Sequence, residues 1–520
     1  MVSCVVCVLV ILLNFVSYMQ LSVQRIGFFA GPLTALCLYF ALPDQYVDIQ
    51  KALIPLTFSA KTTLCITVWM AIWWLTEAID ISATALLPIA MFPLLDISNI
   101  KDTTAPYASH LIFLFIGGFL IALAMQRWKL DQRLAYSLLH RAGKHPLMII
   151  AGFMLSSALL SAFISNTATT AVMLPIGLSI ITLMTQSQQN SFANLSQHNF
   201  ARCMMLGIAY SASVGGTMTL IGTAPNLFLA SFLEEGIQSG FQTQISFTQW
   251  LAFAAPLAMI FLPVIWLVLT RWVFPFQADD LNQLSDIDPK SNNKMDRGQK
   301  ITISIFITTV IVWITRPLLQ DITFTFNQQT FQPLRQLSDP GIAMIAAMAL
   351  FVIPINFKQR IFVIDWETAK KLPWGIFILF GGGLTLARAI ETNGVAEYIA
   401  SQALFLHDVP EIVFVLVVCA SVIFLTELTS NTATTATLVP ILAGIAIGAG
   451  IHPYLLLFPA TLAASFAFMM PIATPPNAIV FGSGHIAISD MCKAGLWLNI
   501  IGVIFITLAT YLFIRPVLGF

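Results

Sequence analysis

Long apolar stretches separated by short polar joints run the length of this chain. Runs at 26–42, 62–79, 82–96, 110–126, 249–274, 301–317, 339–355, 373–390 and 491–514 read as helices crossing a bilayer, a task that takes about 20 apolar residues. Other stretches are less regular. Segments 146–164 and 168–185 flank a Ser-Asn-Thr break, as do 411–429 and 433–450. Segments 201–236 and 454–484 are interrupted in their middles by Gly, Pro and Asn. Irregular polar backbone at membrane depth is tolerated only where protein or a wet cavity satisfies it. The pattern therefore predicts an all-α polytopic membrane protein whose function lies at the interruptions.

Composition agrees. Of 520 residues, 58% are hydrophobic and 9% charged, against roughly 25% charged in soluble domains. Lys+Arg and Asp+Glu number 24 each, which excludes the basic surface of a nucleic-acid binder and the excess of an acidic tail. Seven cysteines (4, 7, 37, 65, 203, 419, 492) are scattered through apolar stretches and give neither a disulfide framework nor a zinc spacing. Cys4-x-x-Cys7 lies in a wholly apolar run. Residues Met1–Tyr18 carry no basic residue and no clear cleavage site, so they read as an extra anchor or an over-long start of the reading frame.

The distribution of Lys and Arg sets an orientation. If the segments alternate and both Ser-Asn-Thr pairs enter and leave on one side, 17 basic residues fall on one side and 7 on the other. The first side is then cytoplasmic, and polar residues 277–300 form a cytoplasmic linker between two halves.

The halves repeat. Ser165-Asn-Thr-Ala-Thr-Thr-Ala-Val-Met-Leu-Pro175 answers Ser430-Asn-Thr-Ala-Thr-Thr-Ala-Thr-Leu-Val-Pro440, identical at eight of eleven positions and offset by 265 (430 − 165). Gly117 pairs with Gly382 at the same offset, and Ile221-Gly-Thr-Ala-Pro-Asn226 answers Ile472-Ala-Thr-Pro-Pro-Asn477 at 251 (472 − 221). The polar insert 186–198 can absorb the difference. The basic stretch Arg127–Lys144 falls inside, whereas its counterpart holds only Arg388 among Glu391, Glu397, Asp408 and Glu411 and falls outside. The repeat is thus expected to be inverted, a plan used by secondary transporters with discontinuous helices at the midplane.

Each Ser-Asn-Thr break offers hydroxyls, an amide and freed backbone N–H groups at a helix N-terminus, where partial positive charge favours anions. Two such tips facing each other suit the two ends of a dianion. Ser161, Ser165 and Asn166, and their counterparts Thr426, Ser430 and Asn431, supply neutral oxygens, to which the carbonyls at Gly222 and Ala473 add. Hard cations prefer oxygen ligands, so two Na⁺ sites beside the anion are chemically reasonable. No Lys or Arg lies within these motifs, so co-bound cations would have to balance a dianion. Close packing of small and hydroxyl residues between helices is the plainer account of one such motif, but duplication beside a duplicated Pro-Asn break favours function. Glu77 and Glu427 lie at or near membrane depth, where carboxylates are expensive. Glu77 reads rather as a fastener between helices, and Glu427 equally as ligand or structural acceptor. The run Trp69–Trp74 is expected to anchor at a membrane interface. The histidines share no ligand spacing and no Walker P-loop is present, so neither a metal-enzyme site nor ATP drive is expected.

These motifs resemble the divalent anion:sodium symporter family, which carries Krebs-cycle carboxylates and, in some members, sulfate. Ser465-x-x-Phe468-x-x-Pro471-Ile-Ala-x-x-x-Asn477-x-Ile-Val480 is similar to that family's signature, and so are the paired Ser-Asn-Thr motifs and Trp73-Trp-Leu-Thr-Glu-Ala-Ile79 with Thr84-Ala-Leu-Leu-Pro88. The chain departs at Asp80, where the family pattern has proline. The resemblance implies about eleven transmembrane helices and two re-entrant hairpins in an elevator-type homodimer. Its divisions would be an apolar extension (1–24), scaffold parts (25–145 and 301–408), transport parts (146–276 and 409–520) and the linker 277–300. It further implies that Ser165, Asn166, Thr167, Thr223, Ser430, Asn431, Thr432 and Thr474 bind substrate. Ser161, Ser165, Asn166 and Gly222 would form one sodium site, and Thr426, Thr429, Asn431 and Ala473 the other, with Thr429 contributing its carbonyl.

The expectation is a Na⁺-coupled importer of C4-dicarboxylates in a bacterial cytoplasmic membrane, with Na⁺ as coupling ion and no cofactor. A Na⁺-independent di- or tricarboxylate exchanger and a sodium:sulfate symporter are the alternatives within the family. A channel would need no coupling of cation to anion. An enzyme would need a partnered acid, base or nucleophile, and only Glu427 and the hydroxyls are at hand.

Overall fold

The computed structural model describes residues 23–520 apart from 49–50, 142, 144, 186–190, 238, 278–280, 282–293 and 327–328. The expectations for Met1–Tyr18, for Cys4 and Cys7, and for most of the linker 277–300 lie outside the described residues. Among the described residues, nine helices are long and apolar enough to cross a membrane.

In chain order, α1 (Val23–Ala41) is followed by a short antiparallel ribbon of β1 (Gln45–Val47) and β2 (Leu53–Pro55), then α2 (Phe58–Thr76), α3 (Ile81–Thr84), α4 (Leu87–Leu94), α5 (Ile100–Thr104), α6 (His110–Arg127) and α7 (Leu130–Arg141). Next come α8 (Pro146–Ser161), α9 (Asn166–Thr185), α10 (Ser191–Gly216), α11 (Ala224–Glu235) and α12 (Phe247–Leu267), the last prolonged to Val273 by a wider turn. The second half holds α13 (Arg297–Gln320), α14 (Asp339–Val352), α15 (Trp366–Ala369), α16 (Trp374–Thr392) and α17 (Val395–Gln402). It ends with α18 (Glu411–Thr426), α19 (Asn431–Gly448), α20 (Tyr454–Ala463), α21 (Pro475–Phe481), α22 (Ile488–Ala509) and α23 (Arg515–Leu518). Two further ribbons, Phe324–Phe326 with Gln329–Phe331 and Pro354–Asn356 with Ile361–Phe362, decorate loops.

Several boundaries differ from the hydropathy reading for local reasons. The run 62–79 stops being helical at Thr76 because Glu77 takes a left-handed conformation, φ 47°, while its N–H still bonds the Trp73 carbonyl. The run 82–96 is two helices. Asp80, in place of the expected proline, caps α3 by accepting the Ser82 N–H at 2.8 Å, a standard N-cap bond. From Ser191 onward the polar insert forms the first turns of α10. Within the tryptophan run the indoles differ in burial, Trp74 lying inside and Trp69 and Trp73 half-buried. Trp74 is fully buried and donates to the Ile81 carbonyl at 3.0 Å, while Trp73 stacks on Phe28 and donates to its carbonyl at 3.2 Å. These indoles tie α1, α2 and α3 together.

The helices pack in two sets. In one, α6 lies on α14, α14 on α13, and α16 on α3, α4 and α5; in the other, α8, α9 and α12 lie on α10, α21 crosses α9 and α10, and α18 and α19 pack on α20. The sets meet where α11 and α19 contact α16 and α19 contacts α2 and α17. At one end of this seam His110 of α6 reaches Glu234 of α11 at 3.2 Å.

Small residues permit the closest approaches, as is usual between membrane helices. A β-carbon on Gly215 of α10 would fall on the backbone of Ala158 in α8, and one on Gly448 of α19 on that of Ala400 in α17. Backbone cannot rotate aside, so overpacking here should cost about 2 kcal/mol or more. Gly215→Val is expected to lower the melting midpoint of the detergent-purified protein and its folded yield; melting equal to the parent would show that α8 and α10 are not held this closely.

Candidate substrate and cation site

The two halves build their motifs in parallel. α9 begins at Asn166 after the link 162–165, and α19 at Asn431 after the link 427–430. The fully buried Ser161 hydroxyl donates to Asn166 Oδ1 at 2.7 Å, and the equally buried Thr426 hydroxyl donates to Asn431 Oδ1 at 2.8 Å. One turn on, Thr170 and Thr435 donate to the Asn166 and Asn431 carbonyls, each at 2.9 Å. All these pairs are related by the 265-residue offset of the sequence repeat.

The broken helices match at the other offset. The chain unwinds over 217–223 between α10 and α11, and over 464–474 between α20 and α21. Thr223 (φ −145°, ψ 150°) and Thr474 (φ −142°, ψ 147°) enter the second arms with the same extended backbone. The buried Asn226 amide donates to the Gly216 and Thr219 carbonyls at 3.1 and 2.8 Å, and Asn477 donates to the corresponding Ala467 and Met470 carbonyls at 3.1 and 3.0 Å. Each asparagine thus satisfies carbonyls that its own break leaves without helical partners, as buried backbone requires. Trp250 Nε1 adds a bond to the Thr217 carbonyl at 3.0 Å, and the Tyr210 hydroxyl one to that of Phe468 at 2.6 Å.

The symmetry fails at Glu427. The second break is longer and presents the successive N–H groups of Phe468, Met469 and Met470, which donate to the Glu427 carboxylate at 2.7, 2.9 and 2.9 Å. Asn499 of α22 donates to it at 2.7 Å. Glu427 is 3% exposed, so its charge is spread over four donors instead of being offered to a ligand. In the shorter first break, Thr217 and Met218 close turns onto Val214 and Gly215, and the position equivalent to Glu427 is Ala162. The sequence signal for Glu427 was a carboxylate beside a break; the role assigned to Asn499, Tyr210 and Trp250 had none.

Both motifs and both breaks line one cavity of about 960 Å³. It gathers Ser165, Asn166, Thr167, Gly222 and Thr223 from the first half with Thr429, Ser430, Asn431, Thr432, Ala473 and Thr474 from the second. Of the expected site residues, only Ser161 and Thr426 stand behind the wall, hydrogen-bonded to the two asparagines. The Thr429 hydroxyl is engaged by Leu425 and Thr434 at 3.0 and 2.6 Å, so its side chain is not free for a ligand. No Lys or Arg is among the described lining residues, and Glu77 is the one ionisable side chain there. The N-termini of α9, α19 and α11 contribute partial positive charge. Such a site is rich in neutral oxygens for hard cations and in donors for carboxylate, with full positive charge left to be supplied by bound ions.

Long apolar helices around a polar cavity floored by broken helices define an integral membrane transporter. A family model described as the sodium:sulfate symporter transmembrane region matches residues 51–520, and the chain belongs to that family. It is 38% identical over 502 residues, 95% of this chain and 92% of the relative, to the sodium-dependent dicarboxylate transporter SdcS of Staphylococcus saprophyticus. The protein of the same name from Staphylococcus aureus is 38% identical over 505 residues. The solved YdaH transporter of Alcanivorax borkumensis superposes with a TM-score of 0.62 at 13% identity, covering 96% of this chain and 99% of that one. MtrF of Neisseria gonorrhoeae does so with 0.58 at 14%, covering 94% of each. At these identities the likeness to both concerns the fold alone.

Bonds to a charged acceptor are worth about 1.5–3 kcal/mol each, so Glu427→Gln should loosen the second break selectively. Hydrogen exchange of 464–474 is expected to speed up at least about tenfold, with 217–223 unchanged. Unaltered protection of 464–474 would contradict the clamp.

Proposed function

We propose that this protein is a secondary active Na⁺-coupled symporter that imports C4-dicarboxylates such as succinate, fumarate and malate. The observation that carries this reading is the single cavity into which both Ser-Asn-Thr tips open and to which no basic side chain among the described residues contributes. A dianion there requires compensating charge, and the neutral oxygens grouped around each asparagine suit Na⁺. Each ion then raises the affinity of the other, and this reciprocal coupling is what a symporter needs. The sequence likeness to relatives named as sodium-dependent dicarboxylate transporters supports the same choice of cation and substrate.

In this reading Ser165, Asn166, Thr167 and Thr223 hold one carboxylate and Ser430, Asn431, Thr432 and Thr474 the other. Ser161, Ser165, Asn166 and Gly222 take one Na⁺, and Thr426, Asn431, Ala473 and the Thr429 carbonyl take the second. The two halves are inverted repeats of an eleven-helix fold, with α8–α9 and α18–α19 as re-entrant hairpins. The set α8–α12 with α18–α22 is the transport part. It slides as an elevator against a scaffold through which two copies dimerise. The cavity borders Leu75, Thr76, Glu77 and Ile376, residues on the side that the basic residues mark as cytoplasmic, so this conformation faces inward. A sulfate ion would engage one tip, whereas a C4-dianion has a carboxylate for each.

The test is uptake of radiolabelled succinate into proteoliposomes with an inward Na⁺ gradient, or with choline in its place, and with unlabelled sulfate and citrate as competitors. Uptake driven only by Na⁺ is expected, with sulfate a poor competitor. Uptake that needs preloaded internal dicarboxylate, whatever the cation, would overturn the symport reading. Asn166→Ala and Asn431→Ala each remove an oxygen shared by substrate and cation, and each should lower uptake by more than about tenfold in folded protein. Near-normal transport by both would overturn the site.

A further inference from the structure

Glu77 is a charge that the dianion site does not need. It ends α2 in the left-handed region, φ 47° and ψ 41°, where a residue other than glycine pays about 1–2 kcal/mol. Its side chain is half-buried on the cavity wall, and among the described residues its carboxylate has no hydrogen-bond or ionic partner. A glycine would be cheaper on both counts, so neither capping nor packing explains a carboxylate here. Its position is informative. The residues assigned to substrate stand on α9, α11, α19 and α21, whereas Glu77 leads from α2 into α3, which packs on α16. Movement of one set of helices past the other would change the distance from Glu77 to a bound dianion.

We propose that Glu77 is an affinity-setting residue of the inward-facing state, an electrostatic repeller that lowers the affinity of the cavity for a dianion on the release side. The inference rests on the symport reading above. Substrate meets this carboxylate only when the transport set has brought the cavity alongside α2; in the opposite state the repulsion is relaxed. Such asymmetry favours turnover, because cations that tighten dianion binding on entry also hinder its departure. Repulsion confined to the exit side weakens binding there without touching the hydroxyls and amides that select the substrate. For one charge against two at about 10 Å in a wet vestibule at low ionic strength, where salt screens little, Coulomb's law gives a factor of about 3–5 in affinity, and about 2 for a singly charged ligand.

The experiment uses the full-length protein reconstituted in both orientations at low ionic strength, with half-saturating concentrations measured separately from each side for succinate and for singly charged monomethyl succinate. In Glu77→Gln, half-saturation by succinate from the cytoplasmic side is expected to fall about 3–5-fold and that for the monoester about 2-fold. Half-saturation from the outside should stay unchanged, maximal net uptake should drop, and Glu77→Asp should resemble the parent. An unchanged cytoplasmic-side affinity, or an equal shift for both ligands, would overturn the proposal. So would a Glu77→Asp variant that behaves like Glu77→Gln with a lowered melting midpoint, since that pattern marks a structural cap. If the parent itself shows no Na⁺-dependent succinate transport, the symport reading fails first; if it does and Glu77→Gln is silent, only this inference falls.

Discussion

Unpaired backbone groups at membrane depth are the constraint around which this structure is organised. Opening a helix inside the bilayer exposes N–H and C=O groups whose desolvation costs several kcal/mol each when unmet. The chain opens two helices, at 217–223 and 464–474, and meets the cost locally. Asn226 and Asn477 each turn back to bond carbonyls of their own break, Trp250 and Tyr210 reach one more each, and Glu427 collects three N–H groups of the second. The breaks can then present Thr223 and Thr474 to the cavity without collapsing. A polar site in an apolar protein is stable here because the groups behind it are satisfied first.

The same constraint accounts for where the two halves agree and where they part. Their agreement covers the cavity wall and the groups that back it directly: the Ser161–Asn166 and Thr426–Asn431 pairs, the extended threonines and the asparagine brackets. Their divergence lies further back. The first half unwinds briefly and closes turns on itself, whereas the second unwinds further and recruits a buried carboxylate held by Asn499 from α22. Equal faces with unequal supports suit a site that grips a nearly symmetric dianion while each half meets different neighbours.

Much of this was legible in the sequence because polar residues at membrane depth contradict the hydropathy around them. Ser165–Thr167, Ser430–Thr432 and the two Pro-Asn breaks stood out on that ground, and the cavity gathers them. What hydropathy could not give was the hydrogen-bond accounting. Glu427 remained open between ligand and acceptor because its role depends on how far the second break unwinds, and nothing in the local sequence separates 464–467 from the end of a helix. The partners of Trp73 and Trp74 lay out of reach for a related reason. An indole N–H needs a partner in an apolar setting, and the carbonyls of Ile81 and Phe28, which hydropathy does not point to, serve Trp74 and Trp73. Asp80 stands where the family pattern has proline and makes the turn by capping α3.

The central claim is that bound cations supply the positive charge that the described lining of this cavity lacks. Calorimetric titration of the purified protein with succinate across a series of Na⁺ concentrations, at ionic strength fixed with choline, tests it most directly. Succinate affinity should rise with Na⁺, with a logarithmic slope approaching about two, and saturating succinate should tighten Na⁺ binding by the same factor, as reciprocal linkage demands. Succinate binding that is equally tight in choline alone would contradict the account.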